Sequence, residues 1–137
     1  MAFKLMYPQT YPDCVKQVKA ATIIVAGTII YESIGAAPAI TSAVTPGNFL
    51  GLAKTDEDNS LGLIGAKNVT FTPVDGVWLE ADCTGTPVAA QIGTVAEFTD
   101  AATIAQDATA DTGEIGFAIK AINGAKKKVY GYFVAIP

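Results

Sequence analysis

The chain contains no histidine and no arginine, so its nine basic residues are all lysine. Without imidazole, neither a Ser-His nor a Cys-His nucleophile pair can be built, and the usual nitrogen ligand for a metal is missing. Without guanidinium, no planar bidentate clamp exists for phosphate or carboxylate. Charge of either sign is scarce, at 16% of residues, and the formal balance is -4. A protein of that sign has no diffuse positive field to hold DNA or an anionic membrane. The composition therefore points away from an enzyme, a cofactor, a nucleic-acid partner and a membrane partner. Long apolar runs are lacking too, since none reaches the roughly 20 residues a spanning helix needs. Cysteine is limited to Cys14 and Cys83, and one distant pair is no disulfide framework, so both are expected as reduced thiols packed like small apolar residues.

What is present is apolar matter in quantity. Half of the 137 residues are hydrophobic and the mean hydropathy is +0.36, which excludes an intrinsically disordered chain. A chain of this mass buries roughly two-thirds of its extended surface, enough for one core and not for two. Lys16 and Lys19 followed by Ala20 to Ile30 imitate a secretory leader. That run is β-branched and interrupted by Gly27, which suits a buried strand better, and the protein is expected to be made and used without secretion.

The texture divides at residue 19. In residues 1–19, Phe3, Met6, Tyr7 and Tyr11 are interleaved with Pro8 and Pro12, which prevent a regular helix and favour an extended path with room for one helical turn over 13–19. This aromatic arm either serves a partner surface or packs on its own domain. From residue 20 to 137 the signals are β. Thr22 to Tyr31 reads as a strand buried on both faces, and Phe49 to Lys54 as a second. Asn68 to Thr72 alternates with Val69 and Phe71 inward, Pro73 closes it, and Asp75-Gly76 provides a turn into Val77 to Glu80, so residues 68–82 read as a hairpin. Gln91 to Phe98 is a further strand. Thr99 to Ala110 is ambiguous: its alanines allow a short helix capped by Thr99 or Asp100, while Thr103-Ile104-Ala105 could be strand, and a non-helical path is preferred. Ile115 to Ile122 and Lys127 to Ile136, joined through Asn123-Gly124, give the clearest hairpin. In its last strand Tyr130, Tyr132, Val134 and Ile136 share one face and Val129, Gly131, Phe133 and Ala135 the other, both apolar. Many short strands separated by Gly, Pro, Asn and Asp predict an all-β fold, a compact β-barrel or β-sandwich with an extended N-terminal arm.

Few residues could carry chemistry. Thr55 to Ser60 is the one dense acidic cluster, but counting from Asp56 the sixth and twelfth positions are Leu61 and Lys67, not the Gly and Glu of a calcium loop. Glu80 and Asp82 share a strand face, where solubility is the simpler role than a catalytic pair. Lys126 to Lys128 form a basic triplet at a hairpin tip, suited to keeping that edge solvated or to meeting an acidic protein patch. Asn68-Val69-Thr70 is a glycosylation sequon that matters only in a secretory pathway.

The order of these elements resembles the small capsid decoration, or cement, proteins of tailed bacteriophages: an early apolar strand with Gly27, a Phe49-Leu50-Gly51-Leu52-Ala53 strand, an Asp75-Gly76-Val77-Trp78 turn, then Thr86-Pro87-Val88 to Ile115-Gly116-Phe117-Ala118-Ile119 and a terminal strand. The resemblance covers most of residues 20–137 and rests on glycine and apolar spacing, while the aromatic arm departs from it. It implies a virion structural protein on the exterior of an icosahedral head, made in the host cytoplasm, commonly a homotrimer. Its partner would be the major capsid protein of HK97-like fold, with neighbouring copies bridged against internal pressure. Surplus apolar groups fit such a role, because interface cores are depleted in charge. Phe3, Met6, Tyr7 and Tyr11 are the expected capsid anchors, and Tyr130, Tyr132 and Val134 the expected contact between copies. Two other classes fit the composition: a self-assembling tail-tube or surface subunit, and a small β-barrel that binds a ligand.

Overall fold

Aromatic and β-branched residues recur at short intervals between turn formers, and nearly every such run becomes a strand. The computed structural model describes residues 3–39 and 46–136. Its strands are β1 (Phe3–Leu5), β2 (Cys14–Gln17), β3 (Thr22–Ile24), β4 (Ile29–Tyr31), β5 (Phe49–Ala53), β6 (Glu57–Asn59), β7 (Asn68–Thr72), β8 (Leu79–Cys83), β9 (Val95–Asp100), β10 (Thr103–Thr109), β11 (Ile115–Asn123) and β12 (Lys128–Ala135). Single 3-10 turns at Pro46–Asn48 and Ala89–Gln91 are the helical elements among the described residues. No described helix is long and apolar enough to cross a membrane.

The largest sheet closes on itself. Its order is β1-β8-β10-β9-β11-β12, and β12 pairs back onto β8. One edge of β8 takes β12 along Leu79 to Asp82. The other edge is shared, with β1 antiparallel beside Leu79 to Ala81 and β10 parallel beside Asp82 and Cys83. Closure removes the long unpaired edges that would otherwise recruit another chain. Because side chains alternate across a strand, each strand feeds one set inward. On β12 that set is Val129, Gly131 and Phe133. They meet Phe3, Leu79, Phe98, Ile104, Phe117 and Ile119 in the main core.

A four-stranded sheet, β2-β7-β5-β4, packs beside the barrel, and β3 pairs with β6 as a separate ribbon. Ile29 and Leu52 from this layer enter the main core. Val18, Ile24, Ile30, Ala53, Val69 and Phe71 form a second, smaller cluster. The layers are stitched by backbone hydrogen bonds, from Phe3 N–H to the Gly27 carbonyl at 3.0 Å and from Ile29 N–H to the Ala101 carbonyl at 3.0 Å.

Four expectations change at this level. The first nineteen residues are not a detached arm: β1 belongs to the barrel and β2 to the second sheet, and residues 14–17 are strand rather than a helical turn. Thr22 to Tyr31 is two strands, broken at Gly27 with φ +87°. Residues 68–82 are not a hairpin, because β7 pairs with β2 and β5 while β8 pairs with β1, β10 and β12. The Asp75-Gly76 turn instead carries the chain from one sheet to the other. Gln91 lies in a 3-10 turn, so the strand expected from there begins at Val95. The 103–109 segment is strand, and the terminal hairpin forms with a bulge between Ile119 and Ala121.

Candidate functional site

The outward set of the barrel wall is aromatic where β1, β8 and β12 run side by side. Lys4 opposes Glu80 and Glu80 opposes Tyr130, giving one row across three strands. One step along, Met6 N–H donates to the Trp78 carbonyl at 3.1 Å, and the Trp78 ring meets Tyr132 edge-on with centroids 5.6 Å apart. Lys120 Nζ stands 5.6 Å over the Tyr132 ring, a cation–π contact that steadies this half-buried ring. Val134 lies further along the same face of β12, opposite Gly116. Met6 is exposed and Tyr130, Tyr132 and Val134 are half-buried. Met6, which sequence reading assigned to a separate surface, thus lies beside Tyr130, Tyr132 and Val134. Trp78 joins them.

The arm's other expected anchors sit elsewhere. Phe3 is fully buried and packs against Phe117 and Phe133, with centroids at 6.3 and 5.5 Å, so it is a core residue and not a partner contact. Alternation forces this result: with Lys4 outward on β1, Phe3 and Leu5 point in. Tyr11 is half-buried against the main core, and its hydroxyl donates to the Asp75 carbonyl at 3.1 Å. It fastens the segment after β1 to the turn between the sheets. Tyr7 is 62% exposed and remains available.

Beside the aromatic face one ion pair crosses from β12 to β8. Lys128 donates to the Asp82 carboxylate across β12 and β8, and this bond is the main cause holding the Lys128 ammonium above its ordinary value. Glu80 and Asp82 do lie outward on one strand, but Asp82 is engaged with lysine. Among the described residues no group of three or more His, Cys, Asp or Glu converges on a metal position.

Cys14 and Cys83 are free thiols. Cys83 is half-buried, and its Sγ donates to the carbonyls of Gly85 and Lys127, each at 3.2 Å. Burial raises its pKa, with the Asp82 carboxylate adding to the shift. A raised thiol pKa stabilises the folded state fully below the unfolded-state value, and that contribution is lost as pH rises through the folded value. Alkylation by iodoacetamide at neutral pH is therefore expected to be several-fold slower at Cys83 in the folded protein than in urea, because the thiolate is the nucleophile. Equal rates in the two states, read by mass spectrometry of the Cys83 peptide, would refute this.

A second feature was missed by sequence reasoning. Between β6 and β7 the loop Ser60 to Lys67 projects Leu61, Leu63 and Ile64, of which Leu61 is 101% and Leu63 79% exposed. The loop is nonetheless built rather than slack. Asn59 is buried, and its Nδ2 donates to the carbonyls of Lys19 and Leu63, each at 3.0 Å. Gly62 lies against the Asn59 side chain, where any Cβ would collide with Oδ1. Ala66 N–H closes a turn on the Leu63 carbonyl at 3.1 Å. The available signal was three apolar residues, Leu61, Leu63 and Ile64, interleaved with Gly62 and Gly65 outside any strand period.

No protein-family model matches the chain, and no curated protein matches it.

Proposed function

We propose that this protein is a non-enzymatic structural component of a virion, a decoration protein that binds the outside of an icosahedral phage head and bridges neighbouring major capsid proteins of HK97-like fold. The observation that carries the proposal is the outward face Met6–Trp78–Tyr132 with Tyr130 and Val134, held on a closed barrel. Aromatic rings with a polar rim of Lys4, Glu80 and Lys120 have the composition of an interface hot spot. A rigid wall loses little freedom on binding, so more of the contact energy appears as affinity. Each copy would contribute a modest contact, and simultaneous engagement of several capsid subunits would multiply it. The face can bind without self-association; a homotrimer enters the reading as the arrangement that presents several such faces at once.

The test is co-sedimentation with expanded, undecorated capsids. Wild-type protein is expected to pellet with them, and the double variant Tyr130→Ser, Tyr132→Ser is expected to bind at least about tenfold more weakly, since each large aromatic anchor is typically worth over 1 kcal/mol. An unchanged melting temperature shows that the variant is folded. Protein that ignores capsids, or that forms open-ended polymers by itself, sinks the reading.

A further inference from the structure

Charge is unevenly divided around the closed sheet. Strands β1, β8, β11 and β12, with the tip joining the last two, carry five of the nine lysines and two of the thirteen carboxylates. One pair cancels, since Lys128 is held by Asp82. Lys4, Lys120, Lys126 and Lys127 are exposed and form no ion pair among the described residues, so on these strands Glu80 alone is left to offset four ammonium groups. The far side is the converse. Residues 83–119 contain five carboxylates and no lysine. Glu97 and Asp107 point outward from β9 and β10, Asp100 ends β9, and Asp111 and Glu114 lie in the turn to β11, each without an ion pair among the described residues. The strand order sets β9 and β10 between β8 and β11, across the barrel from β12. A chain of net charge -4 thus has one basic wall, and that wall holds the aromatic face.

We propose that the partner of the Met6–Trp78–Tyr132 face is an acidic protein surface, with carboxylates around an apolar centre, and that the division of charge sets the orientation of docking. The aromatic rings cover the apolar centre, while Lys4, Lys120, Lys126 and Lys127 meet carboxylates at the rim. Opposite potentials steer the encounter and like charges reject a wrong approach, so the β9–β10 wall is turned away from the partner. A nucleic acid fits less well, because there is no arginine to clamp phosphate and the acidic wall repels an extended polyanion. A second copy offers carboxylates on β9 and β10 but no apolar centre, since among the described residues no exposed large hydrophobic side chain lies in 93–114. The inference names the partner of the site proposed above, and it rests on that reading only in taking the acidic surface to be the capsid exterior.

The experiment has two arms, both with the full chain: co-sedimentation with expanded, undecorated capsids across a salt series, and retention on immobilised poly-L-glutamate across the same series. Wild type is compared with Lys120→Glu, Lys126→Glu on the basic wall and, at equal net charge, with Lys19→Glu, Lys67→Glu outside it. All four are exposed positions, and melting temperatures check that both variants fold. In each arm wild type is expected to bind at low salt and to release as salt rises. The first variant is expected to bind at least about fivefold more weakly, and the second to stay within about twofold of wild type. No retention on poly-L-glutamate overturns the proposal, as do equal losses in the two variants, which would trace to net charge alone. Capsid binding indifferent to salt and to the first variant also overturns it, while leaving the decoration reading in place. Retention without capsid binding, lost in the first variant only, upholds the acidic partner and rejects the decoration reading. Stronger retention on DNA-cellulose than on poly-L-glutamate overturns the proposal in favour of a nucleic acid. Self-association at low salt that the first variant abolishes overturns it in favour of a second copy.

Discussion

Replacing Phe133 with alanine is expected to destabilise the protein by about 4 kcal/mol. The ring sits among those of Phe49, Phe117, Phe98 and Phe3, with centroids 5.1, 5.2, 5.3 and 5.5 Å away. Those four rings come from β5, β11, β9 and β1, so each is held by a different strand. A cavity bounded in this way cannot collapse without breaking strand pairing, which puts the cost in the upper range for large-to-small changes. Domains of this size are stable by only about 5–15 kcal/mol, so the loss would be a large share of the total. Urea denaturation should show a lower midpoint at an unchanged slope. Phe133→Leu, which retains most of the volume, should cost less than half as much. A loss below about 1 kcal/mol for the alanine variant would mean that the five rings do not share one core.

Phe3→Ala is expected to cost about 3 kcal/mol, nearly as much, although its strand is only three residues long. Its ring is fully buried against Phe117 and Phe133. Its strand also covers the edge of β8 along Leu79 to Ala81, which β10 does not reach. Without β1 those backbone groups lose their partners, and buried unpaired backbone groups are costly. Deleting residues 1–12 should therefore lower the thermal midpoint sharply, with the loss visible by circular dichroism. Such a truncation would abolish capsid binding for the wrong reason. Met6→Ser and Tyr7→Ser change exposed positions and probe the surface while leaving the core filled. A truncated chain that melts like the full one would show that β1 contributes nothing to closure.

Much of the barrel could be read from local pattern. The terminal hairpin follows from two apolar runs around Asn123-Gly124, and the two-faced character of Tyr130 to Val134 from strict alternation. The candidate face was only half legible. Tyr130, Tyr132 and Val134 could be grouped by period because they lie on one strand. Met6 and Trp78 could not be joined to them, because their proximity depends on β1 and β12 flanking the same strand from opposite edges. Phe3 was misplaced for a related reason: a short aromatic segment carries too few residues for its inward and outward sets to be told apart without the register.

By itself the sequence determined the all-β class, the strand-forming runs and the exclusion of histidine and arginine chemistry, because these depend on residue type and short-range period. Only the tertiary structure decided which strands pair. Residues 68–82 have every local mark of a hairpin, yet β7 and β8 join different sheets, since a turn constrains four residues while pairing is chosen by what each face can bury. The same holds for the loop after β6. That Leu61 and Leu63 stand in solvent was settled by one buried asparagine holding the Lys19 and Leu63 carbonyls, a long-range contact that no local period encodes.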